Sequence, residues 1–141
     1  MHISAKGNYG LRAMLDLALH SGQGPILSAS IAVRQNIPEA YLVQLLNLLR
    51  KAGLVRSIRG PKGGHHLLKR PEEITVGEVL AVLEGPIDLL GRGDDTAMDT
   101  DVFGDVWQAV EAAIKDVLSS VTFAELCKKH HMRRVNITFR I

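Results

Sequence analysis

The sequence predicts a mainly α fold with one small β-hairpin wing, a winged helix-turn-helix followed by a long dimerisation helix. Three observations carry that expectation. Two helical segments, 28–35 and 38–52, are joined by a turn of only Asn36-Ile37. The second stops at Gly53 and leads into two β-prone runs around the turn Arg59-Gly60-Pro61-Lys62-Gly63-Gly64. Further on, Phe103, Val106, Trp107, Val110, Ala113, Ile114, Val117 and Val121 recur at three- and four-residue intervals, close to a heptad repeat.

The first helix follows Lys6 and Asn8 and runs for about fourteen residues, with Leu11, Met14, Leu15, Ala18 and Leu19 at helical spacing. Its N-terminal amides, with Lys6, are expected to seat a phosphate and so to position a nucleic acid rather than read it. His20 reads as a cation at the helix C-terminus. Ser28 is expected to cap the short second helix through Gln35. Pro38 suits the first position of the third helix, where its missing N–H would be unpaired anyway, and Glu39 complements the positive end of the dipole. There Tyr41, Leu42, Leu45, Leu46, Leu48, Leu49 and Ala52 form a broad apolar face, while Gln44, Asn47 and Lys51 line the other side. One side packs and the other is free to enter a groove.

Leu54 to Ile58 and His65 to Leu68 should pair around the turn. Its glycines would let the backbone approach a surface, and Arg56, Arg59, Lys62, Lys69 and Arg70 surround it. An arginine there can enter a narrow minor groove or grip phosphate. A plain hairpin with solvated charges is the simpler alternative.

Charge supports the nucleic-acid reading once the halves are separated. The chain carries a net +2, but residues 1–70 hold ten Lys+Arg against Asp16 and Glu39, whereas residues 71–141 hold seven against thirteen acids. A basic half bearing the motif and an acidic half kept off phosphate is the polarity of a DNA-binding head on a separate body. No stretch approaches the roughly 20 apolar residues of a membrane span, and the first residues lack a signal-peptide pattern, so the expected location is cytoplasmic. The single cysteine permits no internal disulfide, which agrees with a reducing compartment.

Tyr9-Gly10-Leu11-Arg12-Ala13-Met14-Leu15-Asp16-Leu17-Ala18, Ile37-Pro38 followed by Tyr41-Leu42 and Gln44-Leu45-Leu46, Leu49-Arg50-Lys51-Ala52-Gly53-Leu54-Val55, and Arg59-Gly60-Pro61 with Gly63-Gly64 together resemble the Rrf-two family of bacterial winged-helix transcription regulators. The resemblance covers nearly the whole chain. It implies a homodimer on a palindromic double-stranded DNA operator, usually as a repressor, with the motif's second helix in the major groove and the wing in the minor groove. The family's base-reading positions fall on Ala40, Val43 and Gln44; Ala40 and Val43 offer only apolar contact, as to thymine methyls, and Gln44 an amide that can pair with adenine. The DNA-contacting set is then Lys6, Asn8, Tyr9, Ser28, Pro38, Glu39, Ala40, Val43, Gln44, Asn47, Lys51, Arg56, Arg59, Gly60, Lys62 and His65. Many members carry arginine where Asn8 stands, and an aromatic residue often follows the Gly-Gly pair where His65 and His66 stand.

Beyond the wing, Thr75-Val76-Gly77-Glu78 reads as a capping box, opening a helix whose stripe Val76, Val79, Leu80 and Leu83 ends at Gly85-Pro86. Residues 1–86 form the expected DNA-binding domain and 87–101 an acidic loop. Residues 102–141 should hold the dimerisation helix, a short helix from the capping box Thr122-Phe123-Ala124-Glu125 to His131, and a half-buried strand in which Val135, Ile137, Phe139 and Ile141 alternate with polar residues. Phe103, Val106, Trp107, Val110, Ile114 and Val117 are the expected dimer contacts.

Iron-sulphur members of the family carry three cysteines in the loop region; this chain has none there, so no cysteine-ligated cluster and no other cofactor is expected. Cys127 and His131, at i and i+4, are the candidates for a metal, which would need further ligands from His65, His66 or another subunit. Nothing resembles a catalytic constellation, so an enzyme is not expected. The chain is closest in character to the cluster-free cysteine-metabolism branch, which in the family is controlled through a partner enzyme of cysteine synthesis. The alternatives are a metal- or small-molecule-sensing regulator of the same fold and a protein-interaction module whose wing meets an acidic partner.

Overall fold

The computed structural model describes residues 2–88 and 102–140, with side chains through Ile137. The expected acidic loop, from position 89 on, lies outside the described residues.

Helix α1 (Ala5–Leu19) opens on Ser4, whose hydroxyl accepts from the Gly7 amide. It buries Ala13, Met14, Leu17 and Ala18. Its Gly7 and Gly10 let a later helix, α4 (Val76–Glu84), cross closely, since a Cβ at either would meet the side chains of Glu84 or Leu83. Helix α2 (Ser28–Gln35) ends at Asn36, which takes left-handed φ 53°, ψ 52° and turns the chain into α3 (Glu39–Lys51). Asparagine is among the few residues that adopt this conformation readily. Leu42, Leu45, Leu46 and Leu49 of α3 are fully buried. At about 1.5–3 kcal/mol for each such side chain, they decide which face of α3 turns inward.

Strands β1 (Val55–Ile58) and β2 (Gly64–Leu67) pair antiparallel in the register Val55↔Leu67, Arg56↔His66, Ser57↔His65 and Ile58↔Gly64. Ile26 adds a one-residue third strand, exchanging two 2.8 Å backbone bonds with His65. This anchors the hairpin to the segment between α1 and α2. After a 3-10 turn at Pro71–Glu73 comes α4 (Val76–Glu84), then α5 (Val102–Ser120) and α6 (Phe123–Arg140). No helix among the described residues is long and apolar enough to cross a membrane.

The chain end differs from expectation. Instead of a short helix to His131 and a strand over 135–141, α6 continues unbroken to Arg140. Alternation at 135–141 is satisfied by a strand only where a partner supplies hydrogen bonds, and no strand among the described residues lies beside it; a helix satisfies its backbone internally. Nor does the segment start remote from the rest: Phe123 is buried in the same core as α1, α3 and α4. The Thr75 and Thr122 caps pair as an antiparallel bridge, with Val76 donating to Val121 O at 3.0 Å and Phe123 to Ile74 O at 2.9 Å. Each threonine hydroxyl accepts from the amide three residues on, Glu78 and Glu125. The Glu78 carboxylate does not return to its cap, however; it pairs with Lys69 at 2.7 Å.

Candidate nucleic-acid interface

The face of α3 opposite its leucines displays Ala40, Val43, Gln44, Asn47 and Lys51, all exposed. Val43 keeps 48% of its surface, far more than an aliphatic side chain on a packed face retains. Arg50 donates to Asn47 Oδ1 at 2.7 Å, so these two side chains form one polar unit on the last turns of α3. Leu48, expected to pack, is 36% exposed and borders this face instead.

Two expected terminal roles change. Pro38 is the residue before α3, extended at ψ 125°, not its first helical residue. Ser28 is the first residue of α2 and caps nothing, because Leu27 holds the cap position without a side-chain bond. The Ser28 hydroxyl instead reaches Glu39 Oε1 at 3.5 Å, bringing the starts of α2 and α3 together.

The α1 N-terminus is already taken by a carboxylate. Glu84, at the end of α4, accepts through Oε1 from the Ser4 amide at 3.1 Å, the Gly7 amide at 3.1 Å and the Ser4 hydroxyl. The Ser4 hydroxyl, followed by these amides and nearby Lys6, holds the Glu84 carboxyl below its usual range. The amides expected to seat a phosphate therefore cap an internal acid, a contact between positions 80 residues apart that no local pattern announces. Of the side chains expected beside them, Asn8 is exposed and Lys6 partly so. Tyr9 is half-buried, meeting the Tyr41 ring edge-on at 5.8 Å with the Arg12 guanidinium 5.0 Å from its own centroid.

On the wing, Arg56, Arg59 and Lys62 stand exposed and join no ion pair among the described residues. Lys69 and Arg70 are paired with Glu78 and Glu73, leaving three forward cations out of the five expected around the loop. The glycines serve the hairpin itself: a Cβ on Gly63 would lie 2.0 Å from Ile58 O, and Gly64, at φ +146°, has the Ile26 backbone 2.7 Å from that position. Gly60 (φ +105°) is open on its Cβ side. His65 is half-buried, its Nδ1 2.8 Å from Ser57 Oγ, and burial pushes its pKa down. It is thus built into the wing's frame beside Ser57.

Away from this face, α5 divides the expected dimer contacts. Trp107 and Ile114 lie half-buried on the side that carries Gly104, whereas Phe103, Val106, Val110 and Val117 are exposed, Phe103 at 62%. The acidic character of the second half also proves uneven: no acid follows Glu125, and Lys128, Lys129, Arg133 and Arg134 project from α6. Cys127 is half-buried and burial pushes its thiol pKa up. Among the described residues, no group of three or more His, Cys, Asp or Glu is placed to hold a metal ion.

Comparison with known proteins agrees with this arrangement. Residues 3–129 match the Rrf2, or Rrf-two, family, described as iron-dependent transcriptional regulators. The chain is 44% identical over 126 residues to the HTH-type transcriptional regulator CymR of Bacillus subtilis, covering 89% of each protein. It is 38% identical over 139 residues to the regulator IscR of Vibrio campbellii, covering 96% of this chain and 83% of that one. Among solved structures, T. potens IscR superposes with TM-score 0.78 at 44% identity over 92% of this chain and 88% of its own. CymR, the global cysteine regulator of B. subtilis, superposes with TM-score 0.76 at 41% identity over 92% and 98%.

Proposed function

Since the chain belongs to the Rrf2 family of transcriptional regulators, we propose that it acts as a homodimeric repressor on a palindromic operator, without an iron-sulphur cluster. The observation that carries the reading is the division of α3: four buried leucines on one face, exposed Ala40, Val43, Gln44 and Asn47 on the other, with the Arg56, Arg59 and Lys62 wing beside it. Ala40 and Val43 would meet thymine methyls, Gln44 an adenine edge, and the wing arginines the minor groove or phosphate. Lys6, Asn8, Tyr9, Ser28, Pro38, Lys51 and Gly60 would line the surrounding backbone contact, Glu39 would be placed to accept from a cytosine edge, and His65 would hold the wing's frame behind it. The outward row Phe103, Val106, Val110 and Val117 on α5 supports pairing with a second copy, which would set two reading helices about one DNA turn apart.

The family's iron does not suit the residues present. A cysteine-ligated cluster takes several thiolates, and Cys127 on α6 is the chain's one thiol, its pKa pushed up by burial. Together with the likeness to CymR, the global cysteine regulator, this favours control of sulphur or cysteine metabolism with an enzyme of cysteine synthesis as partner.

The test is selection of bound fragments from random genomic DNA, followed by salt titration of the winner with wild type and Arg59→Ala. A two-fold symmetric winner is expected, with Arg59→Ala weakening binding and reducing the salt slope by about one for each phosphate no longer neutralised. Uniform weak binding with no winner, in the presence of the partner enzyme, would overturn the reading.

A further inference from the structure

We propose that Asp16 is the positioning residue of the helix-turn-helix, setting the tilt of α3 on which sequence reading depends; this rests on the DNA-binding reading above. Asp16 is only 1% exposed, inside α1, with no part in the expected DNA surface. Its two oxygens take a forked pair from Arg34, Nε at 2.9 Å and Nη2 at 2.8 Å, and Gln35 Nε2 adds a third bond at 3.2 Å. His20 stands 3.6 Å away at the end of the same helix. Both bonding partners on α2 lie in its last turn, immediately before the Asn36 turn into α3. From the other side, Arg12 Nη1 of α1 donates to Gln35 O at 3.2 Å. The exit of α2 is therefore gripped from α1 at a side chain, a guanidinium and a backbone carbonyl.

A buried carboxylate is a costly way to fill space that an apolar side chain would fill at least as well, so packing alone does not account for it. What the fork adds is direction. Apolar contacts tolerate small slides between helices, whereas a bidentate arginine–carboxylate pair fixes distance and plane together. Because only three residues, Asn36 to Pro38, separate α2 from α3, the tilt of one is passed to the other. Phosphate contacts through long lysine and arginine side chains survive a small tilt; base-edge contacts from Gln44 and Val43 do not. Loss of the fork should therefore reduce the preference for operator far more than affinity for DNA in general.

The experiment uses the full chain, its selected operator and a scrambled duplex of equal length. In the double variant Asp16→Leu/Arg34→Met, apolar residues replace the pair, a change that often leaves stability intact. The expected result is a melting temperature near wild type, scrambled-duplex affinity within about threefold, and an operator-to-scramble ratio reduced about tenfold or more, as when one base edge goes unread. A double variant that retains the wild-type ratio overturns the inference. Should the double variant not fold, Arg34→Lys decides: it keeps the charge and loses the fork, and an unchanged ratio overturns the inference equally. A wild type without preference would instead refute the DNA reading itself, and this inference with it.

Discussion

Truncating Phe123 to alanine tests whether the C-terminal helix is part of the winged-helix core or an arm hung upon it. The side chain is 0% exposed and packs in the cluster that holds Met14, Leu17, Ile74 and Val79. Its amide is bonded to Ile74 O, which ties the start of α6 to the segment before α4. Loss of a fully buried phenylalanine ring costs about 3–5 kcal/mol. With an unfolding entropy of roughly 2.1 cal/mol/K per residue, this corresponds to a melting temperature lower by about 10–17 °C. The assay is thermal and urea unfolding at one fixed protein concentration, because the proposed dimer would make the midpoint concentration-dependent. Trp107, the single tryptophan, reports α5 by fluorescence, and far-UV circular dichroism reports all helices. Both probes should show one transition, equally displaced. A loss below about 1 kcal/mol, typical of surface sites, or a shift confined to the tryptophan signal, would refute a shared core.

Two pH effects follow from groups whose pKa values are lowered. The Glu84 carboxyl lies below its usual value of 4.5 because Ser4 and Gly7 bond its charged form, so its stabilisation is present above that value and disappears as pH falls through the folded one. Glu84→Gln should accordingly flatten the acid side of the stability profile, measured by urea titration from pH 6 to about pH 3; parallel wild-type and variant profiles would count against the contact. For His65, burial lowers the pKa from 6.5, so the folded wing resists protonation and stability falls as pH drops below 6.5. Nuclear magnetic resonance of the ring should show a midpoint below 6.5; a midpoint at or above it would refute the burial of the ring in the wing.

Much of the interface was legible because it obeys short-range rules. The α3 leucines recur at helical spacing, Gly53 follows the helix end, and the glycines punctuate the hairpin, all within a few residues of one another. The role of a residue was harder to read than its location. Gly63 and Gly64 read equally well as permitting approach to a ligand, and only the nearness of Ile58 O and Ile26 shows that the chain approaches itself. Likewise Asp16 could be placed inside a helical repeat, but its partner Arg34 lies 18 residues away, at a separation no periodicity encodes.

What the sequence determined by itself is the order and kind of nearly every element, the exposed face of α3 opposite its leucines and the cationic hairpin, because helix faces, caps and turns are fixed by residues one to four positions apart. Tertiary structure decided how termini and charges are used. It set Glu84 on the amides of α1, His65 in the wing's frame, Lys69 and Arg70 in ion pairs, and Phe123 in the core. It also made the chain end a helix, since alternation specifies a strand only when a neighbouring backbone accepts it. These outcomes depend on which distant groups meet, and spacing along the chain carries no record of that.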